Sequence, residues 1–282
     1  LDKLGVPPDS PLRQAIPIMN PLTDEYPLIR TTLLTSVLEN AARNVARKNT
    51  DLRLFDIAPV FFPKALPVTE LVHEKLKIAG LITGRRSPIA WDTSNDLVDF
   101  YDMKGIVERF LTAIGVQKYT VERSEHFALH PGKTAFFKKG RDVIAVVGEV
   151  HPTIAANFGI PQNVYIFEMD AESLLRYRKK KTSVTQLPKY PASTRDLAIL
   201  VDADITTAEI ERVIAKKGGK FFRGATLFDV YMGKQVTEGK KSMAFHLHFQ
   251  SDDKTLTDEE VDAAFADILR AAEEQLHAEL RG

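Results

Sequence analysis

The stretch Leu227–Phe249, LFDVYMGKQVTEGKKSMAFHLHF, decides how the chain is read. In its second half Met243, Phe245, Leu247 and Phe249 alternate with Ser242, Ala244, His246 and His248; in its first half Phe228 and Val230 alternate with Asp229 and Tyr231. A period of two marks strands with two unlike faces, one apolar and one polar with aromatic rings. Gly233 and Gly239 lie between the runs among charged residues, giving a loop longer than a two-residue turn. The stretch therefore predicts a β-hairpin that buries one face. No nucleophile stands beside a base in it.

Working outward, the residues before the hairpin predict a strand over Asp196–Asp202 and a helix over Thr206–Lys217 that Gly218 and Gly219 stop. After it come a helix over Thr257–Gln275 and a short strand near Ala278–Arg281. Thr206 before Glu209, and Thr257 before Glu260, form capping boxes that fix both helix starts. The order is β-α-β-β-α-β, the ferredoxin-like split unit, whose two helices cover one face of an antiparallel sheet and leave the other open.

The segment RYRKKKTSVTQLPKYPA, from Arg176 to Ala192, is too basic and too rich in proline to pack a core and reads as a linker. It divides the chain into residues 1–187 and 188–282. In the first part, residues 1–27 read as a proline-punctuated opening segment outside the packed elements. Leu33, Leu34, Val37, Leu38, Ala41 and Val45 then predict a helix over Thr32–Arg47, with Thr31 or Thr32 as its cap. Strands are expected at Leu52–Phe62, Leu76–Thr83, Thr134–Phe137, Val143–Gly148 and Val164–Met169, and a second helix at Asp102–Ile114. Helices set among strands that need not be parallel give an α+β class. No internal repeat relates the two parts.

The 282 residues exceed one usual domain, and 44% apolar residues suffice for two cores. Thirty-eight basic and thirty-eight acidic residues cancel, so only local patches can attract RNA. The absence of cysteine excludes disulfides, thiolate metal sites and cysteine nucleophiles and fits a cytoplasmic location. No apolar run has membrane-spanning length. A first residue other than methionine suggests a piece of a longer polypeptide.

Five further stretches narrow the family: Ser193-Thr194-Arg195-Asp196, Leu227-Phe228-Asp229-Val230-Tyr231, Gly239-Lys240-Lys241-Ser242, Thr255 to Val261, and Leu280-Arg281. They resemble the ferredoxin-fold anticodon-binding domain of bacterial phenylalanyl-tRNA synthetase β subunits. Upstream, Asn20-Pro21-Leu22-Thr23, Leu54-Phe55-Asp56-Ile57, Asp99 to Gly105, His130-Pro131-Gly132 and Gly148-Glu149-Val150-His151-Pro152 resemble the class II synthetase-like domain of the same subunits. The resemblance implies a class II synthetase-like antiparallel sheet domain over 1–187 and the ferredoxin-like anticodon-binding domain over 188–282. It further implies an α-subunit partner in an α2β2 assembly, phenylalanine tRNA as the RNA bound, and ATP and Mg²⁺ as cofactors of the holoenzyme rather than of this chain.

Departures from active class II synthetases argue against a catalytic site. Where the family's phosphate-binding Phe-Arg-x-Glu would stand, the chain reads Phe61-Phe62-Pro63-Lys64; a phenyl ring cannot donate to a phosphate, and a lysine cannot accept from an adenine amino group. No two glycines are two apart, which removes Gly-x-Gly motifs, and Gly219 and Gly224 are followed by Ala225 rather than by a P-loop lysine.

Candidate sites therefore concern binding. On the uncovered face Tyr231, His246 and His248 are candidates for stacking on unpaired bases and Asp229 for accepting from base amino groups; Arg195, Arg223, Lys240 and Lys241 are expected near the phosphates. The alternative for Asp229 is a structural role on a neighbouring group. His246 and His248 lack a third ligand on their strand, and His126 and His130 lack the glutamate of a zinc-protease helix, so no metal site is expected. Asp102, Glu108, Asp258 and Glu259 sit at helix starts or on helix faces, where caps outnumber acid/base pairs. The resemblance implies that the helix Thr32–Arg47 and the strand Leu52–Phe62 help contact the α subunit and a second heterodimer; the alternative is that both are ordinary core. A different class of function, an independent ferredoxin-like sensing module, is kept as the alternative because that fold hosts many activities.

Overall fold

The computed structural model describes the whole chain except residues 24–26, 180–186, 234–235 and 281–282. The chain forms two compact units, residues 1–182 and 183–282.

The first unit runs α1 (Leu34–Ala46), β1 (Leu52–Phe62), β2 (His73–Thr83), α2 (Phe100–Ala113), β3 (Thr120–Arg123), β4 (Leu129–Lys139), β5 (Asp142–Val150), α3 (Pro152–Asn157), β6 (Val164–Asp170) and α4 (Ala171–Tyr177). Its six strands pair antiparallel in the order β1-β2-β6-β5-β4-β3. The central strands are covered on both faces. Val164 and Ile166 join the core of α1 and α3, whereas Tyr165, Phe167 and Met169 join Met103, Val107 and Leu111 of α2. Burial on two sides is why β6 reads as a nearly continuous apolar run.

Three sequence expectations change here. The opening segment is packed: Leu4 and Val6 are buried in the core beneath α1, and Arg13 donates to the Val6 and Pro7 carbonyls. The cap of α1 is not a local threonine alone. The Thr32 hydroxyl accepts from Leu34 N at 3.2 Å, while Glu168, on β6, accepts from the Thr32 hydroxyl at 2.7 Å and from Leu33 N at 2.9 Å. The linker expected over Arg176–Ala192 begins inside α4, which runs to Tyr177, and its residues 180–186 lie outside the described residues. The apolar stripe of α1 is buried, as its spacing predicts, at Leu34, Val37, Leu38 and Ala41. On β1, Phe55 and Ile57 turn outward, 76% and 54% exposed. The sequence reading also passed over β3, α3 and α4, which are too short to establish a period.

The second unit runs β7 (Ser193–Asp202), α5 (Thr207–Lys217), β8 (Phe222–Tyr231), β9 (Lys240–Phe249), α6 (Asp258–Leu276) and β10 (Glu279–Leu280). The sheet is antiparallel throughout, in the order β10-β7-β9-β8. Both capping boxes form, on Thr206 with Glu209 and on Thr257 with Glu260. Leu197, Ile199 and Val201 of β7 and Met243, Phe245, Leu247 and Phe249 of β9 pack against Ile210, Ile214, Ile268 and Ala272 of the helices. The mixed α+β class and the β-α-β-β-α-β order are those of the sequence.

Candidate nucleic-acid interface

Because residues paired directly across antiparallel strands share a face, the register places the uncovered side of the second unit. On β9 it carries Ser242, Ala244, His246 and His248; opposite them on β7 stand Leu200, Ala198, Asp196 and Thr194. On β8 it carries Tyr231, Asp229, Thr226 and Gly224, paired with the same β9 residues. Tyr231, Asp229, His246 and His248 thus share one surface, as strand parity predicted.

Parity slips at two places on β8, between Phe222 and Gly224 and between Leu227 and Asp229, and the second bears on the site. Leu227 pairs with Phe245 but Asp229 pairs with Ala244, so Phe228 is an extra residue in a bulge. The bulge re-aims its side chain. Its ring is 50% exposed and stacks on the His246 imidazole, with centroids 4.0 Å apart and planes 15° apart. Phe228, assigned to the apolar face by simple alternation, belongs to the open face. The other ring nitrogen contacts are equally specific: His246 Nδ1 lies 2.6 Å from Asp196 Oδ1, and His248 Nε2 lies 3.3 Å from the Thr226 hydroxyl. At the end of β8 the Tyr231 hydroxyl lies 2.4 Å from where a Cβ on Gly233 would stand, so a side chain there would displace the ring.

The four cations proposed for phosphates do not share one face, and each already has a partner. Arg195 pairs with Leu247, so it lies on the helix side, where its guanidinium meets Asp258 at 2.7 Å and Asp262 at 2.9 Å on α6. These hydrogen bonds push its pKa further up. Lys241 has the parity of Met243, and its ammonium donates to the Ala203 carbonyl at 3.1 Å. Arg223 reaches Asp252 at 3.2 Å and the Lys220 carbonyl at 3.1 Å. Lys240 is on the open side but is paired with Glu279, whose hydrogen bond raises the lysine pKa. The carboxylates that take these charges come from α6, the α6 approach and β10, distant in sequence from the cations, and the sequence reading had no means of pairing them.

The polar groups singled out in the first unit serve structure. Asp99 and Asp102 form the capping box of α2, Glu108 pairs with Lys104 at 2.6 Å, and the His130 and His151 rings accept from Gly132 N and Thr153 N in their own turns. A cleft of about 300 Å³ beside α2 is lined by Arg53, Arg86, Tyr101, Asp102 and Arg109 among others. Two of its arginines are engaged: Arg53 donates to the Leu52, Thr83, Arg85 and Arg86 carbonyls, and Arg86 to Asp99 and Asp102. Lys64, at the position of the glutamate in the active-enzyme motif, pairs with Glu70 at 2.7 Å. Among the described residues, no three His, Asp or Glu side chains cluster so as to hold a metal ion.

Residues 1–171 match the family model described as the phenylalanyl tRNA synthetase beta chain CLM domain, and residues 188–281 match that of the ferredoxin-fold anticodon binding domain. The chain belongs to the phenylalanyl-tRNA synthetase β-chain family. It is 41% identical over 282 residues to the phenylalanine–tRNA ligase beta subunit of Syntrophotalea carbinolica, covering 99% of this chain and 35% of that protein. The beta subunit of Clostridium acetobutylicum is 38% identical over 281 residues, with 99% and 34% covered, and that of Moorella thermoacetica 38% over 282, with 100% and 35% covered. The chain spans about a third of the length of these curated relatives. Both family matches occur in order along one chain, which displaces the independent sensing module. Among the described residues no helix is long and apolar enough to cross a membrane.

Proposed function

We propose that this chain is the part of a phenylalanine–tRNA ligase β subunit that supports aminoacylation without performing it, by assembling with the α subunit and holding the anticodon region of phenylalanine tRNA. The complex is a cytoplasmic α2β2 enzyme, and ATP and Mg²⁺ act in it outside this chain. The observation that carries the reading is the helix-free sheet face of the anticodon-binding unit, on which Tyr231, Phe228, His246 and His248 stand together. Aromatic rings on an uncovered sheet stack unpaired bases whatever their sequence, and each such stack is worth about 1–3 kcal/mol. The outward Phe55 and Ile57 of β1 supply the apolar centre of an α-subunit contact.

Tyr231→Ala in the full-length β chain, assembled with its α subunit, is expected to weaken tRNA binding about 5- to 150-fold while leaving the salt dependence nearly unchanged, since no phosphate contact is lost. Filter binding across a salt series measures both. Unaltered affinity in a triple Tyr231→Ala, His246→Ala, His248→Ala variant that remains folded would refute the sheet-face site.

A further inference from the structure

Asp196, His246 and Phe228 form a row across three adjacent strands, β7, β9 and β8. The middle ring is held from both sides. An ionised carboxylate can only accept, so the 2.6 Å contact puts a proton on His246 Nδ1 and fixes the direction of the imidazole. Phe228 then lies flat against one face of that imidazole at 4.0 Å. A base cannot stack on a face that a phenyl ring already covers. Phe228 itself is 50% exposed, on the edge strand, because a one-residue bulge turned it out of the apolar side. An apolar ring delivered to a solvated face by a bulge, and braced there by an aimed imidazole, is a pre-positioned surface that stays half exposed.

We infer that Phe228 is a stacking platform for one unpaired nucleobase of the bound RNA, and that His246 and Asp196 are positioning residues that hold it upright. The inference rests on the open face being the RNA-binding surface. It assigns the stacking role to Phe228 in place of His246, adds Asp196 to the site, and makes Phe228 a second platform beside Tyr231.

The test uses the full-length β chain with its α subunit and an RNA stem-loop carrying the anticodon loop of phenylalanine tRNA, in versions with each loop nucleotide in turn made abasic. Phe228→Leu keeps an apolar side chain without a ring and is expected to weaken binding about 5- to 150-fold, whereas Phe228→Tyr retains it. At one loop position the abasic RNA should bind wild type and Phe228→Leu equally, because the stack is already gone. His246→Ala should weaken binding in the wild-type background and have little effect on top of Phe228→Leu, as a residue acting through the phenyl ring must. Equal losses from His246→Ala in both backgrounds would show that the imidazole meets RNA itself and would overturn the inference. So would retained affinity in Phe228→Leu while Tyr231→Ala still weakens binding, an outcome that leaves the open-face reading standing. Indifference to both Tyr231→Ala and Phe228→Leu would sink the open-face reading and this inference with it.

Discussion

At the scale of single residues, partners decide more than residue type. Arg195 and Arg223 have the composition of phosphate contacts, yet each guanidinium is already met by a carboxylate, Arg195 by two. His126 presents the opposite case, a titratable ring with its charge excluded. Burial lowers its pKa from 6.5 to about 4, while its Nδ1 accepts from Ala128 N and its ring packs on Phe127 at 4.2 Å. The unfolded chain protonates this histidine below pH 6.5 and the folded one only near pH 4. Its contribution is therefore intact above 6.5, declines between 6.5 and about 4, and is fully lost below, by at most about 3 kcal/mol. Urea unfolding at several pH values should show a shallower decline through that window for His126→Asn than for the wild-type chain. Parallel curves for the two proteins would contradict it.

At the scale of elements, β9 and β8 show when periodicity can be trusted. The central strand β9 is paired on both sides without interruption on its β7 side, and its apolar and polar faces follow the alternation of its residues from Ser242 to Phe249. The edge strand β8 is paired on one side only, so an extra residue can be inserted, and the two irregularities in its register are both opposite β9. The helix α1 shows a second dependence on the tertiary fold: its first turn is completed by Glu168 from the middle of the sheet. Glu168→Ala leaves the buried Thr32 hydroxyl and Leu33 amide without that acceptor, which costs about 3 kcal/mol, whereas Glu168→Gln keeps an acceptor oxygen and should lose less than half of that. Denaturant midpoints of the wild type and the two variants measure the difference; a Glu168→Ala midpoint equal to that of the wild type would show that the carboxylate has no capping role.

At the scale of the whole chain, two packed units sit within the length of a third of a relative, and the cleft of the first unit has its arginines Arg53 and Arg86 occupied by carbonyls and carboxylates. Phe62 adds to this. It stands at the end of β1 with its ring partly buried against the core and Lys75 over it at 5.6 Å, a packing role where active enzymes place an arginine. The isolated chain should therefore catalyse no phenylalanine-dependent pyrophosphate exchange above background, and Lys64→Glu should not create any. A measurable exchange rate that depends on phenylalanine would disprove the noncatalytic reading.

The sequence by itself determined the second unit almost completely: its element order, both capping boxes and the buried face of β9 follow from local spacing, because a helix start and an alternating strand are set by residues within a few positions of one another. It likewise carried the family, through motifs spread along the chain in order. Only the tertiary structure decided that Leu4 and Val6 are core, that Glu168 caps α1, that Arg195 meets Asp258 and Asp262, and that Phe228 stands with His246 and Asp196 on the open face. Each of these depends on strands or segments far apart in sequence coming together, or on one inserted residue that reverses a strand's parity, and neither leaves a local signal in the residue pattern.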